Sequence, residues 1–265
     1  KFNSNEMQKN NYNLLLKMGL KYSNEKSFSK AKEIFSELIT LDENRYEAFL
    51  NLSNILILKN KFSNSEEILK KFLKKNSYNR NIILALANLY YNIKNYKKLD
   101  ILLEKYINLE EDYLLYYFKS IIYEQNNNPD KQKIYLQKTI NLNKKFWQAY
   151  EKLLNLFEKI NRMDEFYKLI TSTQKIFIKN LKVNYYFALY MYRKNKFDLA
   201  FKELKFKETE TEFIGLSNNT YLVNLYDLVS KIYLNQKKYK LSLDYSIKRN
   251  FISINSEINK KYNKE

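Results

Sequence analysis

Lysine is the side chain with the most chemistry to offer in this sequence. Lys and Arg number 47 against 29 acidic residues, a formal charge of +18, and cations at that density can neutralise phosphates. The residue types argue against that use. Only Arg45, Arg80, Arg162, Arg193 and Arg249 are arginines, although Arg makes the bidentate contacts suited to phosphates and base edges. Lys, Asn, Ile, Tyr and Phe share A/T-rich codons and are abundant together, so a low-GC bacterial genome would produce much of the charge. Nucleic acid is therefore not the expected partner. The densest cluster, Lys70, Lys71, Lys74 and Lys75 in LKKFLKK, reads as a solvated helix end whose cations complement the dipole.

Other chemistry is narrowed by what is missing. There is no His and no Cys, which removes the commonest general base, the thiolate nucleophile and the usual zinc ligands. The two glycines, Gly19 and Gly215, are too far apart to form a loop that cradles a phosphate. An enzyme built from carboxylates and Lys remains open. The chain is expected to have no catalytic residue, to bind no cofactor or metal, and to turn nothing over by itself.

The elements that position these side chains follow from composition and period. With 45% hydrophobic and 16% aromatic residues the chain has material for a core. One proline and two glycines are too few for the many corners of a sheet protein, so helices joined by short polar turns are expected. The start, KFNSNEMQKNNYN, has no apolar stretch of signal type. The most apolar window, Phe49–Leu58, falls well short of the roughly 20 residues a membrane helix needs. No membrane span is expected, and the expected location is the cytoplasm. A start at Lys and an end in KKYNKE read as a piece of something longer.

KNKF occurs at Lys59–Phe62 and again at Lys194–Phe197. The two copies belong to one register: Phe28, Phe62, Tyr96, Pro129, Met163 and Phe197 follow one another at 33 or 34 residues, and Tyr239 follows after 42. Nine residues before these stand Gly19, Ser53, Ala87, Ser120, Leu154, Ala188 and Ser230, small in six cases of seven. Six residues before stand Tyr22, Leu56, Tyr90, Tyr123, Phe157, Met191 and Tyr233, all large. With Met18, Leu52, Leu86, Leu153, Phe187 and Val229 one position earlier than the small column, these share one face of an amphipathic helix. The small residue admits a close neighbour and the large one fills its groove. Each unit is a pair of antiparallel helices, A then B, that must stack on its neighbours to bury its apolar faces.

A helix–turn–helix unit of this length resembles the tetratricopeptide repeat. The first unit carries the likeness best, with Met18–Gly19, Tyr22, Phe28, Ala31, Phe35 and LDEN at Leu41–Asn44. The resemblance implies an all-α solenoid of about seven helix pairs in a right-handed superhelix, forming a single repeat domain with units starting near residues 12, 46, 80, 113, 147, 181 and 223. Gln132 and Phe166 replace the family's small residue in the B helix, and its turn prolines are absent, so local shifts in packing are expected there. Lys205–Asn219, KFKETETEFIGLSNN, exceeds the period by about eight residues. It is expected to be an inserted loop or an extended B helix, or else a site that clamps a ligand. Residues 251–265 are expected to form a helical extension leading to a further region.

The family's A helices line a concave groove that receives peptides or partner domains. Carried to this sequence, the groove would contain Asn54, Asn88 and Asn155 at one recurring position, beside Tyr91, Tyr117, Lys182, Tyr185, Tyr192 and Arg193. Amides can bond a peptide backbone and tyrosines add contact area, so a protein or peptide is the expected partner. The carboxylate-gripping variant of the family does not fit: its positions hold Leu16, Leu20, Asn51, Asn81 and Ala85, which supply no cation. A narrower likeness attaches to Leu225–Asn255, which resembles the last repeat of bacterial proteins whose repeats precede a sulfotransferase domain. There the last B helix closes on Gly-Asn, where this chain has Arg249–Asn250. That likeness implies a covalently linked C-terminal domain using the sulfuryl donor PAPS. Two functions thus stay open, a non-catalytic scaffold and the substrate-recruiting arm of such a sulfotransferase.

Overall fold

The computed structural model describes residues 4–216 and 219–262. These residues contain fifteen helices and no strand. The first eight are α1 (Ser4–Asn24), α2 (Phe28–Leu41), α3 (Tyr46–Leu58), α4 (Phe62–Lys75), α5 (Arg80–Asn92), α6 (Tyr96–Tyr106), α7 (Tyr113–Gln125) and α8 (Pro129–Leu142). The remainder are α9 (Trp147–Lys159), α10 (Met163–Ile176), α11 (Leu181–Arg193), α12 (Phe197–Leu204), α13 (Phe206–Ile214), α14 (Thr220–Asn235) and α15 (Tyr239–Tyr262). Consecutive helices pack in pairs, and the second helix of each pair begins on the recurring residue of the register, from Phe28 to Tyr239.

The turn within each pair has one construction. Lys26, Asn60, Lys94, Asn127, Asn161, Asn195 and Lys237, each two residues before a B helix, adopt φ between 49° and 60°. The next residue then donates its N–H back to the large residue of the A helix. Ser27 reaches the Tyr22 carbonyl at 2.8 Å, Asn95 reaches Tyr90 at 2.8 Å and Lys238 reaches Tyr233 at 2.9 Å. This closes the A helix with a left-handed residue, a place that glycine usually fills. Asn tolerates that conformation better than Lys.

The small column seats the paired helices against each other. A Cβ added to Gly19 would lie 2.6 Å from Phe35 Cε1. The Ser53 and Ser65 hydroxyls meet at 2.7 Å across α3 and α4, and Ser53, Ala87 and Ala188 are fully buried. At the irregular units Gln132 is buried in α8, and Phe166 stacks nearly parallel on Tyr190 with ring centroids 6.2 Å apart.

The chain divides into two compact units, Lys1–Leu142 and Asn143–Glu265. Two features differ from the sequence expectation. The segment 205–219 is built around a helix rather than a loop. Lys205 takes a left-handed conformation that ends α12, and α13 follows at once. Phe213 anchors α13, fully buried against Tyr185 and Tyr221. Ser217 and Asn218 of that segment lie outside the described residues. The last helix does not close at Arg249–Asn250, as the sulfotransferase-linked likeness implies, but continues to Tyr262, with Arg249 bonding Asp227 from mid-helix. Residues 263–265 of the expected extension lie outside the described residues. No described helix is long and apolar enough to cross a membrane.

Candidate functional site

In the first unit, Asn54 on α3 and Asn88 on α5 are exposed as the repeat register requires. The next member of their column, Ile121, is buried, so the row of amides ends there. Tyr91 is exposed with its ring 6.0 Å from Phe118, and Tyr117 is half-buried 6.3 Å from the same ring. The lysine cluster of α4 is engaged as well as solvated. Lys70 pairs with Glu66 at 2.7 Å, and Lys75 with Glu43 at 2.6 Å. Lys70 and Lys74 also border a cleft floored by Leu73 and Leu86, which a solvated helix end would not provide.

In the second unit, four of the expected residues meet. Asn155 and Glu158 from α9, Tyr185, Tyr186, Leu189, Tyr192 and Arg193 from α11, and Asn224, Asp227, Leu228 and Lys231 from α14 enclose a cavity of about 350 Å³. All three are first helices of their pairs. The reason lies in the register: Asn155, Leu189 and Lys231 occupy the same position of successive A helices, and so do Tyr185 and Asp227. Lys182 stands elsewhere on α11, its ammonium 4.4 Å from the centre of the Tyr221 ring.

Tyr185 corrects an expectation. It was placed among exposed groove residues, but it is only 7% exposed. Its ring packs on Phe213 of α13 at 6.2 Å and edge-on to Tyr186 at 5.2 Å. The inserted helix is what covers it. Tyr185 forms the wall of the cavity, while Tyr192, Asn155 and Arg193 remain accessible.

The lining carries two cations and two carboxylates, each matched. Arg193 donates to Glu158 at 2.6 Å, Lys231 pairs with Asp227 at 2.5 Å, and Arg249 reaches Asp227 at 2.6 Å from α15. Burial works to raise the Asp227 pKa, but the hydrogen bonds from Lys231 and Arg249 outweigh it and hold the carboxyl below its usual range. Burial first, then the nearby Glu158 and Glu151 charges respectively, push the Tyr185 and Tyr186 phenols upward, so both are neutral hydroxyls. Tyr186 donates to Asn155 Oδ1 at 3.0 Å, and the amino group of that amide has no partner among the described residues. The Asn224 amide is exposed, with no partner among the described residues. The cavity can therefore offer amide hydrogen bonds beside Leu189 and Leu228, with each charged group of its lining already paired.

Sequence reasoning missed Asn224, Glu158 and Asp227, which belong to the same A-helix faces and could have been found by reading every A-helix position in register. It also missed Lys119. This residue stands in α7 where other units have Leu52, Leu86 or Leu153, and a cation interrupting an apolar column is a visible signal. Lys119 is 3% exposed and bonds Asp100 at 2.7 Å and also Glu104, both on α6. Burial alone would lower its pKa, but the two carboxylates win and raise it.

No protein-family profile and no curated protein matches the sequence. Among solved structures the chain is similar to a tetratricopeptide repeat protein from Parabacteroides merdae, with a TM-score of 0.64 and 18% identity over 94% of this chain and 96% of that one. It is similar to PilF of Pseudomonas aeruginosa, with a TM-score of 0.63 and 15% identity over 79% of this chain and 95% of the other. A third structure, YrrB, a repeat protein of the same type described as having an unusual peptide-binding site, aligns with a TM-score of 0.50 and 15% identity over 80% of this chain and 97% of that one. These likenesses establish the fold, a tetratricopeptide-type stack of helix pairs.

Proposed function

We propose that this chain is a non-catalytic binding scaffold that seats an extended segment of a partner polypeptide in the cavity of α9, α11 and α14. The observation that carries this reading is the neutral, amide-bearing lining. Every charged side chain in it already has an opposite partner, whereas the Asn155 amino group and the Asn224 amide are unspent. A peptide backbone is the ligand that needs amide hydrogen bonds and no net charge. The volume suits a few residues of such a chain. The peptide-binding description of YrrB agrees with the same class of partner. Asn54, Asn88 and Tyr91 would give the first unit a separate polar contact surface. No observation favours the alternative of an arm serving a PAPS-dependent sulfotransferase.

The test is to pan a displayed random-peptide library against the whole chain and measure recovered peptides by calorimetry. Asn155→Ala with Asn224→Ala removes two amides from the cavity and should weaken binding at least about tenfold, near 1 kcal/mol per lost hydrogen bond. The helical circular dichroism should stay unchanged. Binding unaffected by the double change would place the peptide elsewhere and remove this reading.

A further inference from the structure

One face of α15 carries a row of exposed apolar side chains. Tyr239, Leu243, Ile247, Phe251 and Ile254 follow one another at helical spacing, and each is between 56% and 67% exposed. Scattered apolar residues on a surface need no explanation, but a contiguous stripe of this kind marks an interaction site.

Corresponding positions in other units show what the face is for. Tyr167 in α10 and Phe201 in α12 stand where α15 has Leu243, and each already receives a helix. Tyr167 stacks on Tyr190 of α11 at 4.7 Å, and Phe201 meets Tyr233 of α14 at 5.3 Å. Further along, the other units turn polar. Lys70, Glu104, Gln137 and Thr171 stand where α15 has Ile247, and Lys74 and Lys175 where it has Phe251. A helix crossing at the first position uses none of these later sites. A stripe that stays apolar over about four turns suits a helix lying lengthwise, and α15 at 24 residues is ten longer than α10.

We propose that the occupant is a second copy of this chain, with α15 packed along α15 about a two-fold axis. A two-fold pairing needs one self-complementary patch, and the stripe supplies it. The exposed fractions correspond to about 600 Å² per copy, close to half of a standard stable interface of about 1,200 to 2,000 Å². Charge agrees. The chain carries +18, which repels a like copy over most of its surface. The stripe is bordered by Lys240, Asp244, Ser246 and Asn250, one cation and one anion, so here the repulsion is absent. An anionic bilayer would instead call for a border of cations, and the Lys248 ammonium lies over the Tyr245 ring at 4.6 Å.

The test uses the whole chain. Light scattering after size exclusion at about 100 µM should give twice the chain mass, and Ile247→Glu with Phe251→Glu should give the single mass with unchanged helicity. Because the chain has no Cys, Ile247→Cys introduces a unique thiol close to its own copy at the axis. Mild oxidation should link it into a covalent dimer, while Leu58→Cys, equally exposed on α3, should stay unlinked. A wild-type chain that is monomeric at that concentration would overturn the proposal. So would a dimer that survives the double Glu change, or equal cross-linking from both cysteines.

Discussion

Replacing Lys119 by Met should leave stability nearly unchanged, although it removes a buried ion pair. The Lys119 ammonium is almost wholly out of water, and its desolvation costs several kcal/mol. Each carboxylate partner returns on the order of 4 kcal/mol at the effective dielectric of a protein margin, so the two sides nearly cancel. The partners themselves are not trapped: the Asp100 and Glu104 side chains are 40% and 64% exposed, and water solvates them once the cation is gone. Met fills the same length of an apolar column with no polar atom to satisfy. The expected change is within about 1 kcal/mol, whereas Lys119→Ala leaves a cavity and should cost about 2 to 4 kcal/mol. Urea unfolding followed at 222 nm, read on the transition that carries the first unit, separates the two variants. A Met variant that loses more than about 3 kcal/mol, as much as the Ala variant, would refute the reasoning and show the ion pair to be strongly stabilising.

The left-handed turn residues offer a second check. Lys94→Gly relieves a side chain held at φ 56° and should raise stability by about 0.5 to 1 kcal/mol, measurable as a higher melting temperature, with Asn161→Gly gaining less. Gly19→Ala should do the reverse despite the better helix propensity of Ala. Its Cβ would press on buried Phe35, and overpacking of about 1 to 3 kcal/mol exceeds the roughly 1 kcal/mol of propensity; a rise in melting temperature would contradict this. Alkaline pH should unfold the chain. Burial raises the pKa values of several tyrosines, among them Tyr12 and Tyr78 to about 12, so the neutral phenol is favoured in the fold. That stability is fully present below pH 10 and is lost as pH rises towards 12. The phenolate absorbance of these buried tyrosines should therefore appear together with loss of helicity, and its full development in a still-folded chain would contradict it.

The repeat was legible because it is written in size rather than identity. Gly19, Ser53 and Ala87 differ chemically but meet one steric requirement, and the turn ahead of each B helix reduces to one left-handed residue that Asn and Lys alike can supply. The breaks were less legible. Nothing local in KETETEF marks Phe213 as an anchor, since its burial depends on Tyr185 and Tyr221 arriving from elsewhere. For the same reason Tyr185 looked like an exposed groove residue: its position in the register was right, but the covering helix has no counterpart in the other units. Asn54, Asn88 and Asn155 share a position, yet Ile121 interrupts the row, and Asn155 lines a cavity. The charge pairs Arg193–Glu158 and Lys231–Asp227, which make that cavity neutral, required knowing which A helices are neighbours.

Hydrogen exchange on the intact chain, with and without a peptide recovered from the library, tests the binding site most directly. Backbone amides of α11 and α14 around Leu189 and Leu228 should exchange more slowly when the peptide is bound, while those of the second helices α4 and α6 keep their rates. Protection confined to α4 and α6, with α11 and α14 unchanged, would contradict the assignment of binding to the first-helix face.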